Sequence, residues 1–182
     1  MDFKIIIVEI IPVTTAHADE LSALAKNIYK EYYLHLWHTG GADWYMNEYA
    51  YHPDTLRAEL ADPDNLHFIV YEEAQLVGYL KIRLTAILPG TEQGNSLEIE
   101  RIYLHKKAAG KGIGKKMMQL AEKTAVQHHK KIIFLKAMDS SKDSITFYEK
   151  MGYVVSGTLT LPFPQMKEIF RGMVILQKEL LM

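Results

Sequence analysis

The chain has 182 residues, 48% of them hydrophobic and 24% charged, with a formal net charge of −1, the make-up of a globular protein long enough to bury a real core. The near-neutral balance weighs against a chain-wide binder of nucleic acid or another polyanion. Because there is no cysteine, disulfides, thiolate metal sites and a cysteine nucleophile are excluded.

The first apolar run is broken by Glu9 and is too short to span a bilayer. It also lacks the cleavage pattern of a secretory leader, so it reads as a first strand over 4–11, closed by Pro12. A cytoplasmic chain with no membrane partner is the expectation. Thr15 is a plausible helix N-cap, and Leu21, Leu24, Ala25, Ile28 and Tyr32 follow at helical spacing. From 37 to 52 the pattern gives way to "WHTGGADWYMNEYAYH", read as an aromatic connector. A short helix follows Pro53, a residue suited to a first turn, and Pro63 closes it.

Residues 65–71 and 75–84 read as two strands joined by the tight turn "EEA", an antiparallel hairpin. After a loop over 89–95 come a strand at 97–104 and a helix at 113–129, with Ile113, Met117, Leu120, Ala121 and Thr124 on one face. "KIIFLKAM" at 131–138 is apolar enough for a strand covered on both sides. A helix at 143–150 ends at Gly152, a natural left-handed residue. Strands at 153–161 and 168–178 finish the chain. No repeat, linker or low-complexity stretch interrupts the order, so one domain over 1–182 is expected. Its class is α+β: a mixed sheet of about seven strands with helices on both faces.

Two stretches carry chemistry. In "AGKGIGK", Gly110, Gly112 and Gly114 alternate between a strand and a helix. Glycines permit a tight turn whose N–H groups converge, and the helix start adds its positive dipole end, so a phosphate-bearing ligand is expected. Lys106, Lys107, Lys111, Lys115 and Lys116 surround it. A mononucleotide P-loop does not fit, because Ala109 and Lys116 occupy the positions of the first glycine and the Ser/Thr. A dinucleotide fingerprint does not fit either, because the turn is G-x-G-x-G and follows an antiparallel hairpin. The bland alternative is a glycine turn with solvated lysines.

The second stretch is the strand before it. Strict alternation puts Glu98, Glu100, Ile102 and Leu104 on one face, and Leu97, Ile99, Arg101 and Tyr103 on the other. Two carboxylates in an apolar setting are costly unless they have partners. They are either a structural pair matched by Arg83 or Arg101, or groups waiting for a substrate.

Together, "SLEIERIYL…GKGIGKKMM…FYEKMGY" resembles the GCN5-related N-acetyltransferase superfamily. The glycine turn matches its acetyl-CoA motif, [QR]-x-x-G-x-[GA], and "SITFYEKMGY" matches its later helix–strand block. The resemblance runs from about residue 65 to the C-terminus. Within the superfamily, "SLEIERIY" followed by the late block looks most like bacterial polyamine (spermidine/spermine) acetyltransferases. Ala109 stands where the family has Gln or Arg, and Ser141 where many members have Asn.

The resemblance implies the acyl-CoA N-acyltransferase fold, acetyl-CoA as co-substrate, no metal, and a small amine as acceptor. It implies that the strand at 97–104 splays from the next. Ile102, Tyr103 and Leu104 would then meet the pantetheine arm, together with Asp139 and Ser141. The segment Ala109, Gly110, Lys111, Gly112, Ile113, Gly114 and Lys115 would take the pyrophosphate. Acetyl transfer needs a neutral amine, a stabilised oxyanion and a proton for the departing thiolate. Without cysteine, direct attack in a ternary complex is the economical route. Glu98, with Glu100 beside it, is the candidate base, although both carboxylates could instead orient a cation. Tyr148 is the candidate general acid that the resemblance implies, placed near the cofactor sulfur; without the resemblance it reads as a core aromatic beside Phe147.

Trp37, Asp43, Trp44 and Glu48, with Tyr45, Tyr49 and Tyr51, suit an alkylammonium acceptor through aromatic faces and carboxylates. They could equally cap the core or form the contact of a homodimer. The pairs His35/His38 and His128/His129 lack a third ligand at metal spacing, and no nucleic-acid reader motif is present. Acetylation of another amine (a protein N-terminus, a lysine or an aminoglycoside) and a non-catalytic CoA-binding module remain open on this reading.

Overall fold

The computed structural model describes residues 7–180. In chain order the main elements are β1 (Val8–Pro12), α1 (Ala18–Tyr32), α2 (Gly41–Trp44), α3 (Pro53–Ala61), β2 (Asn65–Glu72), β3 (Gln75–Arg83), β4 (Ser96–Leu104), α4 (Ile113–Gln127), β5 (Ile132–Met138), α5 (Lys142–Lys150), β6 (Val154–Thr160) and β7 (Gly172–Glu179). The strands form one seven-stranded sheet in the order β1-β2-β3-β4-β5-β7-β6. Every neighbouring pair is antiparallel except β4 and β5, which run parallel. Among the described residues no helix is long and apolar enough to cross a membrane.

The pattern of apolar side chains explains the layers. Met117, Met118, Ala121 and Ala125 on the inner stripe of α4 pack with Leu80, Ile82, Leu97 and Ile133 of the sheet. On the opposite face Leu21, Leu24, Ala25 and Ile28 of α1 pack with Leu56 of α3, and with Ile69 and Tyr79. Helices thus cover both faces, each burying one apolar stripe. At Gly78 the strands β3 and β4 come so close that an added Cβ would lie 2.5 Å from the Tyr103 carbonyl oxygen, which only glycine accommodates.

Three expectations are corrected. The expected first strand over 4–11 begins partly outside the described residues, and the observed strand includes Pro12, tolerated because β1 lies at the sheet edge. The connector at 37–52 is helical: Gly40, left-handed at φ 80°, starts α2, and Tyr45–Tyr49 continue it as one π-helical turn. The last strand starts at Gly172, not 168, because Glu168–Phe170 form a 3₁₀ turn and Arg171 folds back to donate hydrogen bonds to the Met166 and Pro164 carbonyls.

Candidate active site

The site grows from one fault in the sheet. Pairing between β4 and β5 runs from Ser96↔Ile132 to Ile99↔Leu135 and stops there, although β4 continues to Leu104 and β5 to Met138. Beyond that point the strands splay, and β4 backbone groups facing β5 have no ladder partner. A cavity lies on each side of the opening, of about 990 Å³ and about 420 Å³. Tyr33, Ile102, Tyr103, Met138, Ser141 and Tyr148 line both, so the two meet through the gap.

The larger cavity contains the glycine turn. Ala109, Gly110, Gly112, Gly114 and Lys115 line it, along with Ile102, Tyr103 and Leu104 from the splayed strand and Ser141 and Tyr148 from the α5 side. Gly110 and Gly112 have φ of 76° and 80°, with open space where a Cβ would stand. Glycine is favoured here by backbone conformation, and the bare turn leaves the start of α4 approachable. An elongated ligand with a diphosphate fits: amides at one end, unpaired strand groups along the middle, and Tyr148 near the gap. The side chains of three further expected residues have partners within the protein. Lys111 reaches back to Glu72 at 2.9 Å, Ile113 is buried in the core, and Asp139 packs against Gly172.

The smaller cavity is walled by charge and tyrosine. Here strict alternation fails. Lys81 pairs with Arg101 and Ile82 with Ile99, leaving Glu100 as the extra residue of a β-bulge. The bulge resets the faces. Ile99 and Ile102 both pack in the α4-side core, whereas Tyr103 packs on the α1 side and Arg101 stands over the Tyr51 ring there. The expected face of Glu98, Glu100, Ile102 and Leu104 is therefore corrected.

Both glutamates nevertheless line this cavity, and both are matched. Glu98, with a side chain only 4% exposed, is 2.8 Å from Lys136 and 3.5 Å from Arg83. Glu100 is 2.8 Å from Lys81 and 3.6 Å from Arg83, which thus bridges the two carboxylates. Behind them Glu59 of α3 receives Arg101 through two hydrogen bonds of 2.8 and 3.0 Å, and Lys81 lies 3.1 Å away. These cations hold the Glu59 carboxyl below its ordinary range against the opposing effect of burial.

His67 sits at the rim of this network, its side chain almost wholly buried and its Nε2 without a hydrogen bond. Burial first, then Lys81, lowers its pKa from the ordinary 6.5 to about 4. A histidine depressed in the folded state contributes stability that is complete above pH 6.5 and lost as pH falls toward 4, amounting to ~3 kcal/mol. Stability curves from urea titrations at several pH values should therefore be flatter between pH 6.5 and 4 for His67→Leu than for the parent. Superimposable slopes would refute this role for His67.

Tyr148 stands at the gap, 9% exposed. Burial, then the neighbouring Tyr33, pushes its pKa well up, so its hydroxyl keeps its proton at neutral pH. Tyr29, Tyr33, Tyr45, Tyr49, Tyr51 and Phe163 continue the wall of the smaller cavity. The π turn sets Tyr45 and Tyr49 against Phe163, at 5.9 and 5.1 Å between ring centroids. The four expected acceptor residues do not share this wall. Trp37 turns inward, donating from its indole nitrogen to the Tyr29 hydroxyl at 2.9 Å, and Trp44 packs behind Tyr49. Asp43 and Glu48 are exposed and outside both cavities. The structure adds Glu59, Lys81, Lys136 and Tyr33, which the sequence did not single out, and it places Arg83, a partner the sequence offered, beside both glutamates.

A family model described as the acetyltransferase (GNAT) family matches residues 26–153. An uncharacterized N-acetyltransferase in the pepI 3′ region of Lactobacillus delbrueckii subsp. lactis is 29% identical over 99 residues, 54% of this chain and 57% of that relative, less than two thirds of its length. A spermine/spermidine N(1)-acetyltransferase of Bacillus subtilis (strain 168) is 25% identical over 126 residues, 66% of this chain and 77% of the relative. Among solved structures, the PaiA N-acetyltransferase of Thermoplasma acidophilum in complex with coenzyme A has a TM-score of 0.76 at 20% identity, covering 96% of this chain and 99% of that one. That likeness is one of fold.

Proposed function

The chain belongs to the acetyltransferase (GNAT) family, and from that premise we propose that it transfers an acetyl group from acetyl-CoA to a primary amine by direct attack in a ternary complex. The observation that carries the reading is the splayed opening after Ile99↔Leu135, through which a cavity bearing the glycine turn meets one walled by carboxylates and tyrosines. Acetyl-CoA, when bound, supplies the activated acyl group.

The chain's own residues do the rest. The glycine turn and the start of α4 hold the diphosphate, and the unpaired edge of β4 hydrogen-bonds the arm and polarises the acyl carbonyl. Glu98, with Glu100 beside it, takes the proton of the ammonium group, which passes on to solvent, and then the proton the neutral amine sheds as its nitrogen bonds to the acyl carbon. Tyr148 gives its proton to the sulfur as the carbon–sulfur bond breaks, so the products are an amide and free CoA. Lys136 and Arg83 fix the Glu98 carboxylate against the cavity wall. A polyamine acceptor is supported by the Bacillus subtilis relative's activity, and the charges around the cavity weigh against it.

The test mixes purified protein, acetyl-CoA and a panel of amines (spermidine, lysine, an N-terminal peptide, an aminoglycoside), following free CoA with a thiol reagent. The cysteine-free chain adds no thiol background. Amine-dependent release is expected, falling about 10²-fold in Glu98→Gln. CoA binding without release for any amine would reduce the protein to a binding module. Full activity in Glu98→Gln would remove that residue as the base.

A further inference from the structure

We propose that the acceptor is a primary amine bearing a single positive charge on an aromatic or apolar body, and is not a polyamine. The inference rests on the acetyl-transfer reading above and deepens it.

Charge comes first. Each carboxylate on the smaller cavity is already matched, Glu98 by Lys136 and Glu100 by Lys81, both at 2.8 Å. With Glu59 included, three carboxylates face Lys81, Arg83, Arg101 and Lys136, so the cluster carries more cations than anions. His67 adds no negative charge and is neutral above about pH 4. An amine can shed its one proton to Glu98, but a polyamine brings further ammonium groups that must displace Lys136 or Lys81 from well-made pairs, leaving a cation uncompensated. The acidic side chains nearest in sequence, Asp43 and Glu48, lie outside the cavity and offer no relief.

The remaining wall says what the body of the acceptor is. Tyr33, Tyr45, Tyr49, Phe163 and Met166 present ring faces, ring edges and a thioether, surfaces that pack against flat or apolar groups. Aromatic faces also attract ammonium groups, but the Tyr51 face already has Arg101 over it, 5.5 Å from the ring centre. Tyr49, half-exposed, stacks on Trp44 at 5.2 Å and meets Phe163 edge-on at 5.1 Å, forming the outer part of the wall. A cavity of about 420 Å³ holds one ring and a short amine arm.

The experiment compares tyramine and phenethylamine with spermidine as acceptors for the full chain, and measures by calorimetry the binding of each to the protein saturated with CoA. The arylalkylamines are expected to exceed spermidine about tenfold in kcat/KM and to be the amines whose binding heat is detected. Tyr49→Ala should raise KM for tyramine about tenfold, and Tyr49→Phe should restore it. Equal or better turnover and binding of spermidine overturns the acceptor class while leaving the transferase intact. CoA binding with no thiol release from any amine overturns the transferase reading itself. An unchanged KM for tyramine in Tyr49→Ala overturns the aromatic wall as the binding surface.

Discussion

Tyr148→Phe should lower kcat about 10²-fold, the loss expected on removal of a general acid, while CoA binding measured by calorimetry stays within error of the parent. The substitution deletes one oxygen and keeps the ring, which packs against Phe147 and Tyr153 at centroid separations of 5.3 and 6.4 Å. Packing is thus preserved and the change is read in the chemical step. The hydroxyl is protonated at neutral pH, and burial raises its pKa further. The raised pKa makes this phenol a weaker acid than a free thiol, so its proton has to move to the sulfur as the carbon–sulfur bond breaks, in step with the nitrogen's loss of its own proton. If the acid role is right, an acyl donor with a more acidic thiol leaving group should recover much of the lost rate. A kcat equal to the parent's would show that the sulfur finds its proton elsewhere.

The second large effect is on stability. Glu59→Gln should destabilise the fold by about 3–5 kcal/mol, as breaking one side of a buried ion cluster does, with a fall in Tm of roughly 10 °C for a chain of this size. Glu59 is the only carboxylate that receives Arg101 through two hydrogen bonds among the described residues, and Lys81, 4% exposed, depends on it as well as on Glu100. With the glutamate neutralised, two cations remain deep in the structure and share Glu100. Adding Lys81→Met to Glu59→Gln should return part of the loss, because the number of unmatched charges falls again. Calorimetric melting of the parent, both single variants and the double variant closes the cycle. Strict additivity would mean that Glu59 and Lys81 act independently.

What the sequence made legible follows physical locality. The glycine turn announces itself because its backbone conformation restricts residue type at two alternate positions, Gly110 and Gly112. The hairpin, α4 and the apolar β5 follow from periodicity alone. The bulge at Glu100 is different: it exists only in the pairing of β4 with Lys81 and Ile82 of β3, and nothing within β4 itself marks the interruption. The same holds for the ion cluster, whose central pair, Glu59 and Arg101, is separated by 42 positions. The tyrosines of 45–51 are visible as a group, but which rings reach the cavity depends on the π turn at 45–49 and on distant partners, such as the Tyr29 hydroxyl that holds Trp37 inward. The partner of the Lys111 ammonium is likewise distant in sequence: Glu72 of the hairpin lies 2.9 Å from it.

The parting of β4 from β5 divides the labour of the molecule between two kinds of material. On one side stands main chain that would hold the donor: a glycine turn, a helix start and a strand edge left without its neighbour. On the other stand side chains that would meet the acceptor: rings, thioethers and matched charges. Main-chain recognition survives most substitutions, because every residue except proline brings the same amide. Side-chain recognition is rewritten by a few of them. A lineage built on this plan can keep its donor for as long as it keeps the fold, while its acceptor drifts, and the taste of any one member is inscribed in the wall of its smaller chamber.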